Sequence, residues 1–328
     1  MPLALFVVLL LLTACGGAHL PQSTLTPASD FSADLFGLFK TVFWWAVAVF
    51  IVVEALLLIA LARFRARPGA AAPKPVHGHT VLEIGWTLAP ALILVFIAVP
   101  TMRTIFATAG HAPEGALRVE VIGHQWWWEY RYPTLNISAS NELHIPVQTP
   151  IQLEMTSADV IHSFWVPRLG GKRDLIQGRT NRIAWRVDST GEYWGQCAEF
   201  CGASHANMRL RVVVQSDSVF QRWVDQQRTA PATPAKGSAA EAGQQVYRRS
   251  PCIACHTIAG LSQGKVGPDL SHLGSRATIA GALFPNTTEM LRRWIMNAPA
   301  LKPGALMTPQ NLSPQDLDAV VAYLQSLK

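Results

Sequence analysis

Residues 41–62 (TVFWWAVAVFIVVEALLLIALA) are 22 mainly apolar positions in a row, broken by one ionisable group, Glu54. As a helix they reach about 33 Å, enough to cross a hydrocarbon core of about 30 Å. Residues 84–102 form a second such stretch, with Pro90 and Pro100 inside it. Two spans joined by a short connection make a hairpin whose ends lie on the same side. The connection carries Arg63, Arg65, Arg67 and Lys74, with Glu83 at its far end, and this basic excess assigns it to the cytoplasm. The rest of the chain is then expected on the outer face. Composition agrees, since only 15% of residues are charged against roughly 25% in an ordinary soluble protein. The 27 basic and 21 acidic residues leave a net charge of +6, but no basic run exceeds a pair such as Arg248 and Arg249. A nucleic-acid footprint would be clustered, so no such partner is expected.

Ahead of the hairpin, residues 3–12 are apolar but too few to span a bilayer. They are followed by Leu12-Thr13-Ala14-Cys15, which resembles the lipobox of bacterial lipoproteins. That resemblance implies a signal peptide over 1–14 and a diacylglycerol on Cys15; the alternative is an uncleaved anchor. An acylated amino terminus on the outer side agrees with the hairpin's orientation. Residues 15–35 then form an outer segment, and 36–106 the transmembrane hairpin. Glu54 is an intramembrane acid without an assigned role, and the Trp44–Trp45 pair reads as interfacial anchor and core.

From 107 to 225 the period changes. LRVEVI (117–122), PIQLEM (150–155), RIAWRV (182–187) and RLRVVV (209–214) alternate apolar with polar residues, with Gly, Pro and Asn between them. The pattern predicts an all-β sandwich or barrel. Within it stands CAEFCGASHANM, which places Cys197, Glu199, Cys201, His205 and Met208 together, with His162 upstream in HSFWVP. Two thiolates, two imidazoles and a thioether form a soft donor set suited to copper, whereas zinc rarely uses methionine. A disulfide, or a helix bearing Cys197, Cys201 and His205 on one face, would use the same residues otherwise; Gly195 and Gly202 favour a loop. His124 and His144 sit in strand-like segments and read as structural.

These residues resemble subunit II of the haem-copper cytochrome c oxidases, over about residues 35–215. The paired apolar helices, GHQWWWEY (123–130), HSFWVP and CAEFCGASHANM follow in the family's order. The resemblance implies a cupredoxin-like sandwich whose loop holds the dinuclear copper centre CuA. Cys197 and Cys201 would bridge both coppers, His162 and His205 would each bind one, and Met208 and the Glu199 carbonyl would complete the set. It further implies that the Glu199 side chain helps hold Mg²⁺ shared with subunit I, that Glu83 stands at a proton-uptake path, and that Trp126 is where electrons arrive. Alternation along HQWWWEY would put Trp126 and Trp128 on one strand face and Trp127 on the other.

Residues 226–240 (QQRTAPATPAKGSAA) lack an apolar period and read as a linker. The last region, 241–328, opens with Cys252-Ile-Ala-Cys255-His256. Two thiols one helical turn apart can add to the vinyl groups of haem while His256 supplies the proximal nitrogen to iron. A thioredoxin-like CxxC would need a strand before it, and none is evident. The segment resembles class I cytochromes c, all-α domains with a methionine loop before the last helix. Met307 in KPGALMTPQNLS is therefore the expected sixth ligand, ahead of Met290, Met296 and His272, although Thr308 replaces the family's usual proline. GPDL (267–270) matches the family's loop beneath the proximal histidine.

A subunit II with a fused cytochrome c resembles the caa3-type oxidases. The implied activity is electron transfer from cytochrome c or a membrane donor, through covalent haem c and CuA, to an oxygen-reducing subunit I, with subunit III as a further partner. The oxygen-reducing site would lie on another chain. The implied location is the bacterial inner membrane, both cofactor domains facing outward. A free membrane-anchored electron carrier is the alternative. A nitrous-oxide reductase lineage would lack the paired spans, and quinol oxidases have lost the copper ligands.

Overall fold

The computed structural model describes residues 20–65, 68, 69, 75, 77–110 and 112–328. Cys15, the apolar run before it, Arg67 and Lys74 lie outside the described residues.

Both apolar stretches are helical. Helix α1 spans Asp30–Arg63 and α2 spans Thr80–Ala107, each longer than its apolar part. Ser29 starts α1 early by a reciprocal capping arrangement with Ser32, and His79 caps α2. The apolar windows of both helices have no buried share, as helices facing lipid require, and Trp45 stacks on Phe96 between them at 5.8 Å. The head of α1 is fixed to the outer domain. Ser29 Oγ donates to the Leu169 carbonyl at 2.5 Å, and the Arg186 amide donates to Asp30 Oδ1 at 2.9 Å.

The next region is a two-layer sandwich of ten strands: β1 Leu117–His124, β2 Trp127–Tyr132, β3 Ile137–Ser140, β4 Glu142–Pro146, β5 Pro150–Ser157, β6 His162–Trp165, β7 Arg173–Leu175, β8 Asn181–Arg186, β9 Gly191–Cys197 and β10 Arg209–Gln215. One sheet runs β3-β2-β1-β5-β8 and the other β4-β10-β9-β6-β7. Strict alternation in β5 sends Ile151, Leu153 and Met155 inward, where they meet Trp128, Tyr130, Phe164, Trp185 and Val212, all 0–2% exposed. This is the cupredoxin-like fold expected from the sequence. One local expectation fails. Gln125 and Trp126 form the turn between β1 and β2, so Trp126 precedes the strand and does not share a strand face with Trp128.

Helix α3 (Asp217–Arg228) packs on the sandwich, with Phe220 and Val224 buried. The irregular connection is shorter than its composition suggests, because α3 takes up 226–228 and the next helix starts at Ala239. The last region contains α4 (Ala239–Arg249), α5 (Cys252–Cys255), α6 (Thr288–Met296), α7 (Ala298–Leu301) and α8 (Pro314–Ser326). Helices α4 and α8 cross closely. A Cβ at Gly243 would overlap the Ala319 carbonyl, so only glycine permits the approach. Tyr247, Leu291, Leu317, Val320 and Tyr323 fill the core beneath the crossing. The arrangement is the helical cytochrome c domain expected from the sequence, with two short two-stranded sheets added, Thr257–Ile258 with Ser262–Gln263 and Thr278–Ile279 with Phe284–Pro285.

Candidate electron-transfer site

The sheet order places the copper-type donors together. Strand β9 lies between β10 and β6, so the connection from Cys197 to Met208 is a hairpin loop beside the start of β6, where His162 stands. The Cys197 amide donates to the Met208 carbonyl at 2.9 Å, closing the loop's neck, and the Ala198 amide donates to the Ser163 carbonyl at 2.8 Å. Cys197 Sγ then lies 3.8 Å from Cys201 Sγ, 3.9 Å from His162 Nδ1 and 3.3 Å from the Glu199 carbonyl oxygen. Cys201 Sγ lies 3.7 Å from His205 Nδ1 and 3.9 Å from Met208 Sδ. The other four candidate donors thus gather around the two sulfurs, which form no disulfide.

The chemistry of this set fits a metal cation. The hydrogen bond from Cys201, together with His162 and the Glu199 backbone, holds the Cys197 thiol well below its ordinary pKa, while the Cys197 thiolate pushes Cys201 up. Two thiols this close cannot both ionise unless a cation neutralises them. The soft donors and the buried thioether of Met208, 0% exposed, select copper.

Neighbouring groups that sequence reasoning missed orient the ligands. Asp159 Oδ1 lies 2.8 Å from His162 Nε2 and accepts its proton, which turns Nδ1 toward Cys197. Asp159 Oδ2 accepts from the Gln125 amide at 2.7 Å. A Cβ at Gly123 would lie 2.7 Å from His162 Cδ2, so β1 leaves room for the imidazole. Gln125 Nε2 and Trp126 Nε1 both donate to the Cys201 carbonyl, at 2.7 and 3.0 Å. Trp126 is therefore bonded to a ligand-bearing residue. No motif spacing links 125–126, 159 and 201, so the sequence carried no signal for these bonds.

His124 and His144 lie away from the donor cluster. His124 stacks on Trp127 and meets Glu129 at 3.0 Å, and His144 stacks on Trp223. The Glu199 side chain and the Phe200 ring, 76% exposed, project outward from the copper loop. Glu83 stands exposed in the first turn of α2, its carboxylate accepting from the His79 amide at 3.3 Å.

In the last domain, Cys252, Cys255, His256 and Met307 line one cavity of about 270 Å³. His256 Nδ1 donates to the Pro268 carbonyl at 2.8 Å, which leaves Nε2 free toward the cavity, and burial lowers its pKa so that the ring stays neutral. A neutral, oriented imidazole and a thioether in the wall of one cavity, with two free thiols, fit a covalently attached haem. Met296 is 45% exposed, His272 lines a different cleft, and Met290 packs on the edge of the core. Gln125, Trp126 and Trp127 of the sandwich line the same cavity as the cysteines.

Two redox-type sites meet across one tryptophan, whose ring lines the cavity of the last domain and whose Nε1 donates to the Cys201 carbonyl. The class so defined is a membrane-anchored electron-transfer protein. The family models named Cytochrome C oxidase subunit II, transmembrane domain, and Cytochrome C oxidase subunit II, periplasmic domain, match residues 20–104 and 134–217, and Cytochrome c matches 240–328. Cytochrome c oxidase subunit 2 of Alkalihalophilus pseudofirmus is 38% identical over 85% of this chain and 83% of its own. Its counterpart in Bacillus subtilis is 32% identical over 99% of this chain and 97% of its own. The crystallised periplasmic domain of subunit II from Bradyrhizobium japonicum is 34% identical, covering 36% of this chain and 97% of that domain, with a TM-score of 0.35. The chain belongs to the cytochrome c oxidase subunit II family. It is an electron-transfer component of a haem-copper oxidase, with CuA copper and haem c as its cofactors.

Proposed function

We propose that this chain is the electron-receiving subunit of a caa3-type oxidase in a bacterial inner membrane. In this reading Cys252 and Cys255 would attach haem c, and His256 and Met307 would hold its iron. Cys197, Cys201, His162, His205, Met208 and the Glu199 carbonyl would hold the copper pair. When bound, these groups supply one-electron oxidation and reduction with little change in ligand geometry. The protein's part is to hold the ligands still, exclude water and set the distance between the two sites. Strand ends do the first, and the cover over Trp126, 9% exposed, does the second.

The observation that carries the reading is the double role of Trp126. Its ring lines the cavity of Cys252, Cys255, His256 and Met307, and its Nε1 donates to the Cys201 carbonyl. Electrons reaching the last domain have an aromatic and hydrogen-bonded path to Cys201. Trp126→Phe should leave the copper absorption intact and slow haem-c-to-copper transfer, measured by flash photoreduction, about tenfold or more. A wild-type rate in the folded variant would show that electrons travel elsewhere.

The finer assignments belong to the same reading. Exposed Glu199 and Phe200 offer a carboxylate and an apolar contact suited to a partner subunit I and to a shared Mg²⁺. Subunit III and a cytochrome c or membrane donor complete the assembly. Glu83, at the cytoplasmic start of α2, is placed to collect protons, and Cys15 to carry lipid. The functional units follow as 36–106, 107–225 and 241–328. Co-purification with a large haem-bearing subunit separates this reading from a free carrier.

A further inference from the structure

The boundary between the sandwich and the cytochrome domain contains two buried charges of opposite sign, one supplied by each side. From the cytochrome domain, Lys302 is 3% exposed, and its ammonium donates to the Trp126 carbonyl and to the Ala280 carbonyl, both at 2.7 Å. Among the described residues it meets no carboxylate within ion-pair distance. From the sandwich, Glu142 is 4% exposed and accepts from the Thr278 amide at 2.9 Å and the Thr278 hydroxyl at 2.6 Å.

A buried lysine amine is costly unless its N–H groups find acceptors; burial lowers the pKa of this one to about 7, and one of its two acceptors is present only while the two domains are together. One of its two acceptors belongs to the residue that touches both redox sites. The same stretch of chain touches Trp126 a second time. At Gly304, where φ is +81°, an added Cβ would lie 2.6 Å from the indole ring, so the backbone runs flush over it. Met307 follows three residues later. A third bond, from Ser204 Oγ of the copper loop to the Pro303 carbonyl at 2.6 Å, ties the residue between them. The segment 302–307 is thus held by the copper loop and its tryptophan at one end and lines the haem-type cavity at the other.

We propose that Lys302 is a positioning residue for electron transfer, clamping the methionine loop of the cytochrome domain onto Trp126, with Glu142 and Thr278 forming the second point of the clamp. This rests on the assignment of the two cofactor sites above. Neither side chain touches a cofactor ligand; both act on the separation of the sites. Tethering alone would leave the cytochrome domain to search for its docking geometry, whereas two charges buried across the boundary hold it there.

The test uses the full chain loaded with copper and haem. In Lys302→Met, haem-c-to-copper transfer after flash reduction should slow severalfold, because transfer falls steeply with the separation that the clamp sets. Both absorption spectra should be unchanged, and the copper–haem distance distribution from pulsed electron paramagnetic resonance should broaden. Unchanged rate and distance would overturn the proposal. Should Lys302→Met disturb the haem spectrum, Thr278→Val probes the same clamp from its other end, and a wild-type distance distribution there would overturn it. Comparison with Trp126→Phe separates the two ideas. Slow transfer in Lys302→Met alone keeps the clamp and removes the tryptophan route; slow transfer in Trp126→Phe alone does the reverse.

Discussion

The candidate copper loop and the candidate haem cavity are built by opposite architectural means. Three of the candidate copper donors, His162, Cys197 and Met208, come from strand ends or the hairpin neck, and all six already stand in contacts of 3.3–3.9 Å. The sandwich core beneath them is complete, with large aromatic side chains at 0–2% exposure, so the protein holds the donors in place by its own packing. The candidate haem ligands instead line the walls of a cavity of about 270 Å³, carried by the one-turn helix α5, the residue after it and an irregular loop. Leu270, Leu291 and Val320 face a second small cavity that shares Cys252, His256 and Met307 with the first. There the bound group must complete the core. One site is preformed and the other is finished by its occupant.

The largest effect that tests this contrast is loss of haem attachment. The double variant Cys252→Ser, Cys255→Ser should abolish cooperative folding of the cytochrome domain, because a cavity of that size removes much of a small domain's core. The copper absorption of the same full chain should persist. Limited proteolysis would then cut within 241–328 and spare the sandwich. Equal protection of both domains would mean that the haem site is preformed as well.

Removing copper should have a smaller effect, and weakening its support should change affinity without changing the fold. Asp159 accepts from His162 Nε2 and also from the Gln125 amide. Asp159→Asn should lower copper affinity about 10–100-fold, the usual result of losing a carboxylate behind a ligating histidine. The thermal unfolding of the metal-free sandwich should move little. A collapse of that domain would show that Asp159 serves the turn more than the ligand.

How much of this was legible beforehand differs between the two regions. Alternation gave β1, β5, β8 and β10 to within a residue or two, because each is long enough to show a period of two. Strands β3, β4, β6 and β7 are three to five residues and show none. The Gln125–Trp126 turn was missed because three consecutive indoles carry no Gly, Pro or Asn to mark it. Every expected copper donor was readable, since five lie within twelve residues and the sixth in a short motif. Asp159, Lys302 and Glu142 were not readable. Their partners are distant in sequence or are backbone atoms, and a charged residue whose partner is a remote carbonyl looks like any surface charge until the fold buries it.

The smallest expected effect concerns the join between the two regions under acid. Burial by itself would raise the Glu142 carboxyl, but hydrogen bonds from His144 and Thr278 and the charge of Arg211 outweigh it and hold the pKa at about 2, below the ordinary 4.5. The groups facing it are His144 on its own strand, Arg211 on β10, itself paired with Glu192, and the buried Arg276 with Thr278 across the boundary. A depressed carboxylate contributes stability that is fully present above pH 4.5 and is lost as pH falls toward 2. Burial holds the Lys302 pKa at about 7, so docking should weaken somewhat as pH falls from about 8 to 7, be flat only between about pH 6 and 5 and, where domain separation exposes Glu142, weaken progressively below, by about two to three orders of magnitude in the docking constant. The copper–haem distance distribution of the full chain, recorded from about pH 6 downward, should broaden only at the acid end. Broadening already between about pH 6 and 5 would show that a group other than Glu142 governs the join.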